Sequence, residues 1–293
     1  MRSYTYKTVG NLPVKADVYR TRDRVLRPVV LWIHGGALIM GHREWIDHRV
    51  RRMMLDAGYA FVSLDYRLAP ETKLPAIIED LEDAVTWVRE QGPKLFQGDP
   101  RRIAVMGASA GGYLTLTAGY RTRPRPTVLV SFFGYGDLVG DWYSRPSPHP
   151  CHHRIQMTRE EALRQVSGPP IADARHRNGD GAAFYQHCRQ HGLWPQAVSG
   201  WDPHAETEKF HSFMPVQNVT SNYPPTMLIH GTADTDVPYE QSLLMAEQFK
   251  RQGVLHELVT IEGGEHGLHG GDPRRIDDAY ASALAFVQRH LER

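Results

Sequence analysis

The chain has 293 residues, enough for one large α/β domain with a substantial buried core. Apolar residues make up 41% and charged residues 23%, and 34 basic against 33 acidic side chains leave a formal net charge of +1, which excludes the strong basic bias of a nucleic-acid or anionic-membrane binder. No stretch approaches the ~20 apolar residues of a membrane-spanning helix, and the N-terminus has no unbroken apolar core of a signal peptide, so a cytoplasmic location is expected unless a leader has been removed.

Residues 4–19 alternate apolar and polar side chains around "GNLP", the pattern of an antiparallel hairpin. Six short apolar runs then read as strands: "VVLWIHGG" from 29, "AFVSLDYR" from 60, "IAVMGAS" from 103, "TVLVSFFG" from 127, "TMLIHGT" from 226 and "HELVTIEG" from 256. Most are too continuously apolar to have a wet face, as expected of parallel strands covered on both sides. Helical periodicity recurs at 74–91, 110–121, 238–253 and 273–291. Alternating strands and helices predict βαβ crossovers and a doubly wound, mostly parallel sheet with helices on both faces.

The interval 138–225 breaks this alternation. Prolines and glycines cluster in it ("SRPSPHP", "SGPP", "RNGDG"), and it is far too long for a plain connection. It reads as a lid inserted into a single domain covering 1–293. Its aromatics are Trp142, Tyr143, Phe184, Tyr185, Trp194, Trp201, Phe210 and Phe213. Most are needed for the lid's own core, and Trp142, Tyr143 and Trp201 are the candidates for substrate contact. Cys151 and Cys188 lie in the same interval, outside any C-x-x-C, and are expected to be free thiols. "CHHR" at 151–154 has no second ligand pair at zinc spacing, so no metal site is expected.

Gly107-Ala108-Ser109-Ala110-Gly111 fits G-x-S-x-G where a buried strand ends and a helix opens. Small flanking residues let the backbone turn sharply and push the Ser hydroxyl out at the carboxyl end of the strand, where open α/β sheets bind ligands. Ser also favours helix N-caps, so position carries more weight than letters. A nucleophilic Ser needs a base, and the base a carboxylate to orient it. Asp234 follows one strand and His266 follows the next, giving the order Ser109, Asp234, His266. Asp236 is an alternative acid and His269 an alternative base, while His34 and His230 read as residues that tie loops together. Backbone donors for an oxyanion are expected from Ala110 and from the loop His34-Gly35-Gly36-Ala37.

"HGGA" (34–37), "DYRLAPETKLPAIIEDLEDAVTWV" (65–88), "GASAGG" (107–112), "HGTADTDVP" (230–238) and "GGEHG" (263–267) together resemble the α/β-hydrolase fold, in its hormone-sensitive-lipase-like carboxylesterase group and the related acetyl and feruloyl esterases. The resemblance implies Ser109 as nucleophile, His266 as base and Asp234 as orienting acid. It implies oxyanion donors from Gly36, Ala37 and Ala110, no cofactor, a small-molecule ester as substrate, and a monomer or homodimer. Lipase-like members carry H-G-G-G, so Ala37 departs from the pattern; its N–H survives if its backbone angles are open to a residue with a Cβ. An amidase or prolyl-oligopeptidase-like peptidase with the same triad, and a non-catalytic binding protein on the same fold, are the alternative readings.

Overall fold

The computed structural model describes residues 1–21 and 23–292. Among them, eight strands form one sheet in the order β1-β2-β4-β3-β5-β6-β7-β8. The strands are β1 (Arg2–Val9), β2 (Leu12–Tyr19), β3 (Arg27–Ile33), β4 (Ala60–Leu64), β5 (Gly98–Ala108), β6 (Val128–Phe132), β7 (Thr226–Gly231) and β8 (His256–Ile261). β1 and β2 form the predicted antiparallel hairpin, β2 joins β4 antiparallel, and every pairing from β4 to β8 is parallel.

Side-chain alternation divides each apolar run between two cores. Val29, Leu31 and Ile33 of β3 and Ile103 and Val105 of β5 pack on one face, with Ile77, Ile78 and Leu81 of α2 (Leu74–Leu95) and Leu114 and Leu116 of α3 (Ala110–Arg121). Val30, Trp32, Ala104 and Met106 pack on the other, with Val50 and Met54 of α1 (His48–Asp56) and Phe286 and Val287 of the C-terminal helix, Pro273–Leu291. Each fully buried aliphatic side chain contributes about 1.5–3 kcal/mol, so a sheet covered on both faces follows from runs with no polar alternation.

Two helices differ from expectation. α1 has no counterpart in the sequence reading, because "HRVRRMMLD" buries only Val50 and Met54; what starts it is Asp47, whose side chain accepts from Arg49 N and Val50 N. α2 runs through Gly92-Pro93 to Leu95. Gly92 lets Phe96 fold across the helix end, since an added Cβ would stand 2.9 Å from Phe96 Cζ.

Between β6 and β7 lie α4 (Asp141–Ser144), α5 (Arg159–Arg164), α6 (Ala182–His191) and α7 (Trp194–Ser199) with several 3₁₀ turns. Tyr143, Phe184, Trp194 and Phe210 of this segment share one apolar cluster with α2 and α3. The helix Glu240–Arg251, α8, and the C-terminal helix, α9, complete the fold. Both cysteines are free, Cys151 exposed and Cys188 buried.

Candidate active site

The parallel strands end at one rim, and Ser109, Asp234 and His266 follow three of them there. Ser109 sits between β5 and α3 at φ 57° and ψ −121°, a left-handed conformation that costs a non-glycine residue about 1–3 kcal/mol. Two hydrogen bonds hold it: Ser109 N donates to Phe132 O at 2.9 Å, and Tyr113 N donates to Ser109 O at 3.0 Å. Gly111 is required by proximity, because a Cβ there would lie 2.0 Å from the Ile33 carbonyl oxygen at the end of β3.

Asp234 follows β7 and His266 follows β8. His266 Nδ1 lies 2.8 Å from Asp234 Oδ2, and His230 Nε2 lies 3.2 Å from the same oxygen. The other carboxylate oxygen accepts the backbone N–H of Asp236 at 2.9 Å and of Val237 at 2.8 Å. Burial alone would raise the Asp234 carboxyl, but the hydrogen bonds from His230 and His266 and their nearby charge hold it well below the usual carboxylate range. Burial acts on His266 in the opposite sense to its neighbours: desolvation lowers it, while the hydrogen bond to Asp234 and the charges of Asp236 and Asp234 leave the imidazole above its ordinary value, with Arg189 opposing them. His34 differs, being pushed down to about 4 chiefly by burial; its Nδ1 donates to Gly35 O at 2.7 Å and its ring stacks on Tyr66 at 4.3 Å. His34 and His230 thus both secure loops, and Asp234 is bonded to His266 rather than to His269.

Asp236 stands on the far side of the His266 ring, with Oδ2 3.7 Å from Nε2. Glu265 was not singled out from the sequence, yet its carboxylate accepts Thr235 N at 3.0 Å and Thr235 Oγ1 at 2.9 Å. It fastens the loop after β8 to the loop after β7. The only local signal is its place beside His266 in "GGEHG".

The loop after β3 lies against the Ser109 turn: a Cβ on Gly35 would meet Ala108 O at 3.0 Å and Ser109 Cβ at 3.2 Å. Ala37 adopts φ 54°, the left-handed region where the lipase-like pattern has glycine. The indole Nε1–H of Trp194 donates to Ala37 O at 2.9 Å, and Tyr66 Oη donates to His34 O at 3.1 Å. Ala110 is the first residue of α3, so its N–H is among the helix-start amides that have no acceptor within the helix.

Ser109, His266, Gly36 and Ala37 open onto one cavity of about 430 Å³, whose apolar walls are Trp32, Met40, Trp45, Ile46, Phe133 and Tyr280. Tyr185 and Asp236 also face it. Trp142, Tyr143 and Trp201 do not line it, which corrects the expectation for them. Trp142 stacks on Tyr143 at 3.7 Å, Tyr143 stacks on Trp194 at 4.0 Å, and Trp201 packs edge-on to Phe210 at 5.3 Å. These rings pack within the segment between β6 and β7, and the cavity draws its aromatics from β3 (Trp32), the loop after it (Trp45), the residue after β6 (Phe133), α6 (Tyr185) and α9 (Tyr280). Among the described residues, no cluster of His, Cys, Asp and Glu could hold a metal ion, and no helix is long and apolar enough to cross a membrane.

Residues 30–270 match the family model described as alpha/beta hydrolase fold. The chain is 28% identical over 308 residues to the non-reducing polyketide synthase Preu3 of Preussia isomera, covering 89% of this chain but 12% of that protein. It is 28% identical over 293 residues to esterase LipC of Mycobacterium tuberculosis, covering 94% of this chain and 62% of that one. The chain therefore spans less than two thirds of the length of either relative. Among solved structures, an acetyl ester-xyloside bifunctional hydrolase from Caldicellulosiruptor lactoaceticus superposes with a TM-score of 0.72 at 21% identity, covering 98% of this chain and 96% of the other. At that identity the likeness is one of fold.

Proposed function

The chain belongs to the alpha/beta hydrolase fold family, and within it we propose that this protein is a serine carboxylesterase that acts on short acyl or aryl esters through an acyl-enzyme. The observation that carries the reading is that His266, bonded to the buried Asp234, opens onto the same cavity as the strained Ser109 turn. Residues 138–225 act as the lid of that single domain. The similarity to esterase LipC supports ester hydrolysis as the activity.

In this mechanism Asp234 fixes the His266 tautomer with the proton on Nδ1, leaving Nε2 to take the Ser109 proton as Oγ attacks the ester carbonyl. The oxyanion forms between the N–H groups of Gly36, Ala37 and Ala110, which are held in place before the reaction and need no reorganisation. His266 then passes its proton to the departing alcohol. Water enters by the same route in reverse, His266 again acting as base, and releases the acid from Ser109. Four hydrogen-bond donors to the Asp234 carboxylate outweigh its burial and keep it ionised while the imidazolium forms.

The test is covalent labelling. A fluorophosphonate should attach to Ser109 in the folded wild type, hydrolysis of 4-nitrophenyl acetate should stop in proportion, and Ser109→Ala should abolish both. A folded wild type that neither labels nor hydrolyses esters overturns the reading.

A further inference from the structure

The two oxygens of Asp236 have different surroundings. Oδ1 is held by the lid segment: Tyr185 Oη donates to it at 2.5 Å, His152 Nε2 lies 3.5 Å away and the buried guanidinium of Arg189 4.0 Å away. Oδ2 receives no hydrogen bond from any described residue, faces the cavity, and lies 3.7 Å from His266 Nε2. With Nδ1–H directed at Asp234, Nε2 presents a lone pair, so two acceptors confront each other at the spot where the leaving alcohol must collect its proton. Such a pair is satisfied by a donor placed between them, and an unpaired partly buried acceptor there is unfavourable.

Building on the esterase reading above, we propose that Asp236, oriented by Tyr185, is a specificity-determining residue that accepts a hydrogen bond from a second, neutral hydroxyl on the alcohol portion of the ester, so that the preferred substrates are monoesters of diols, polyols or sugars. The leaving oxygen must come within about 3 Å of Nε2 to be protonated. Oδ2 is 3.7 Å from that nitrogen, so a hydroxyl on the carbon next to the ester-bearing one is the donor within its reach. The donor is neutral because the Arg189 guanidinium already faces this carboxylate and would repel a second cation.

The experiment compares kcat/KM for propyl acetate, 2-hydroxyethyl acetate, 2-methoxyethyl acetate and protonated 2-(dimethylamino)ethyl acetate in the wild type, Asp236→Ala and Tyr185→Phe. The wild type should favour the hydroxyethyl over the propyl ester by about tenfold or more, as expected for a hydrogen bond to a charged acceptor, with the methoxy and ammonium esters gaining nothing. The ratio should collapse toward one in Asp236→Ala and fall in Tyr185→Phe, with fluorophosphonate labelling of Ser109 reporting that the variants are folded. A wild-type ratio near one, or a ratio unchanged in labelled Asp236→Ala, overturns the proposal, and preference for the ammonium ester overturns the neutral-hydroxyl assignment. Loss of the esterase reading itself gives a different result: no turnover of propyl acetate that depends on Ser109.

Discussion

His266 and Asp234, thirty-two positions apart in the chain, meet at 2.8 Å between Nδ1 and Oδ2, while Asp236 reaches the same ring only from its Nε2 side at 3.7 Å. Replacing the partner of Nδ1 frees the imidazole to adopt the wrong tautomer, whereas replacing Asp236 leaves the tautomer in place. Asp234→Asn should therefore lower kcat for 4-nitrophenyl acetate by about a thousand- to ten-thousandfold. Asp236→Asn should cost far less on this substrate, whose alcohol portion carries no second hydroxyl, and equal losses would overturn the division of roles.

The pH dependence follows from the same cluster. In the proposed mechanism the neutral imidazole is the base, and His266 is raised above the ordinary histidine value of about 6.5 by Asp234 and Asp236. The kcat/KM profile should thus rise through a midpoint above that value and fall away at lower pH. Asp236→Asn removes one of the charges that raise it, so its midpoint should move down, with Arg189 still opposing. Folding is linked with the opposite sign: protonated His266 stabilises the native state below its unfolded value, and that contribution is lost as pH rises through the folded one.

Ala37 holds a left-handed backbone that an alanine adopts at a cost of about 1–2 kcal/mol. Ala37→Gly relieves that strain and loses about 0.4–1 kcal/mol through the freer unfolded chain. The net expectation is a gain of up to about 1 kcal/mol with esterase activity retained, read from urea midpoints and turnover. Ala37→Val places a β-branched side chain at the same φ and should lose both stability and activity.

Trp45 stands 55% exposed beside the cavity, whereas Trp142 is stacked on Tyr143 in the segment between β6 and β7. Trp45→Ala should raise KM for 4-nitrophenyl butyrate about three- to tenfold, on the scale of one lost aromatic contact, without moving Tm. Trp142→Ala should lower Tm and leave KM little changed. The reverse pattern would restore Trp142 to the substrate site.

Arg67 meets Asp80 through two guanidinium nitrogens at 2.7 to 3.0 Å, and the Asp80 side chain is fully buried with Lys7 Nζ 2.8 Å away. Asp80→Ala leaves the buried guanidinium only the exposed Glu79 carboxylate, 3.8 Å away, and should cost about 3–5 kcal/mol in chemical denaturation. The double replacement Arg67→Met with Asp80→Leu should recover most of it. Full loss in the double variant would mean that the ion pair, and not its desolvation, sustains this corner of the fold.

Period and order along the chain carried most of the architecture. Continuous apolar runs such as "VVLWI" and "IAVMG" read as strands covered on both faces, and the alternation with helical segments implies mostly parallel pairing. The placement of Ser109, Asp234 and His266 was also legible, because each follows its own strand and parallel strands end at one rim. α1 was not, since a helix with two buried residues leaves almost no periodic signal and depends on the Asp47 cap. Tertiary structure alone decided which aromatics face the cavity: Trp142, Tyr143 and Trp201 are chemically suited to a pocket but pack on neighbouring rings of the segment between β6 and β7, while Trp45 and Tyr280 reach the site from opposite ends of the sequence. It also decided that Asp236, two residues from Asp234, turns to the other face of the same imidazole. Neighbouring carboxylates are equivalent in a string of letters, and only the partners that each meets in space, His230 and His266 for one and Tyr185 and Arg189 for the other, give them different work.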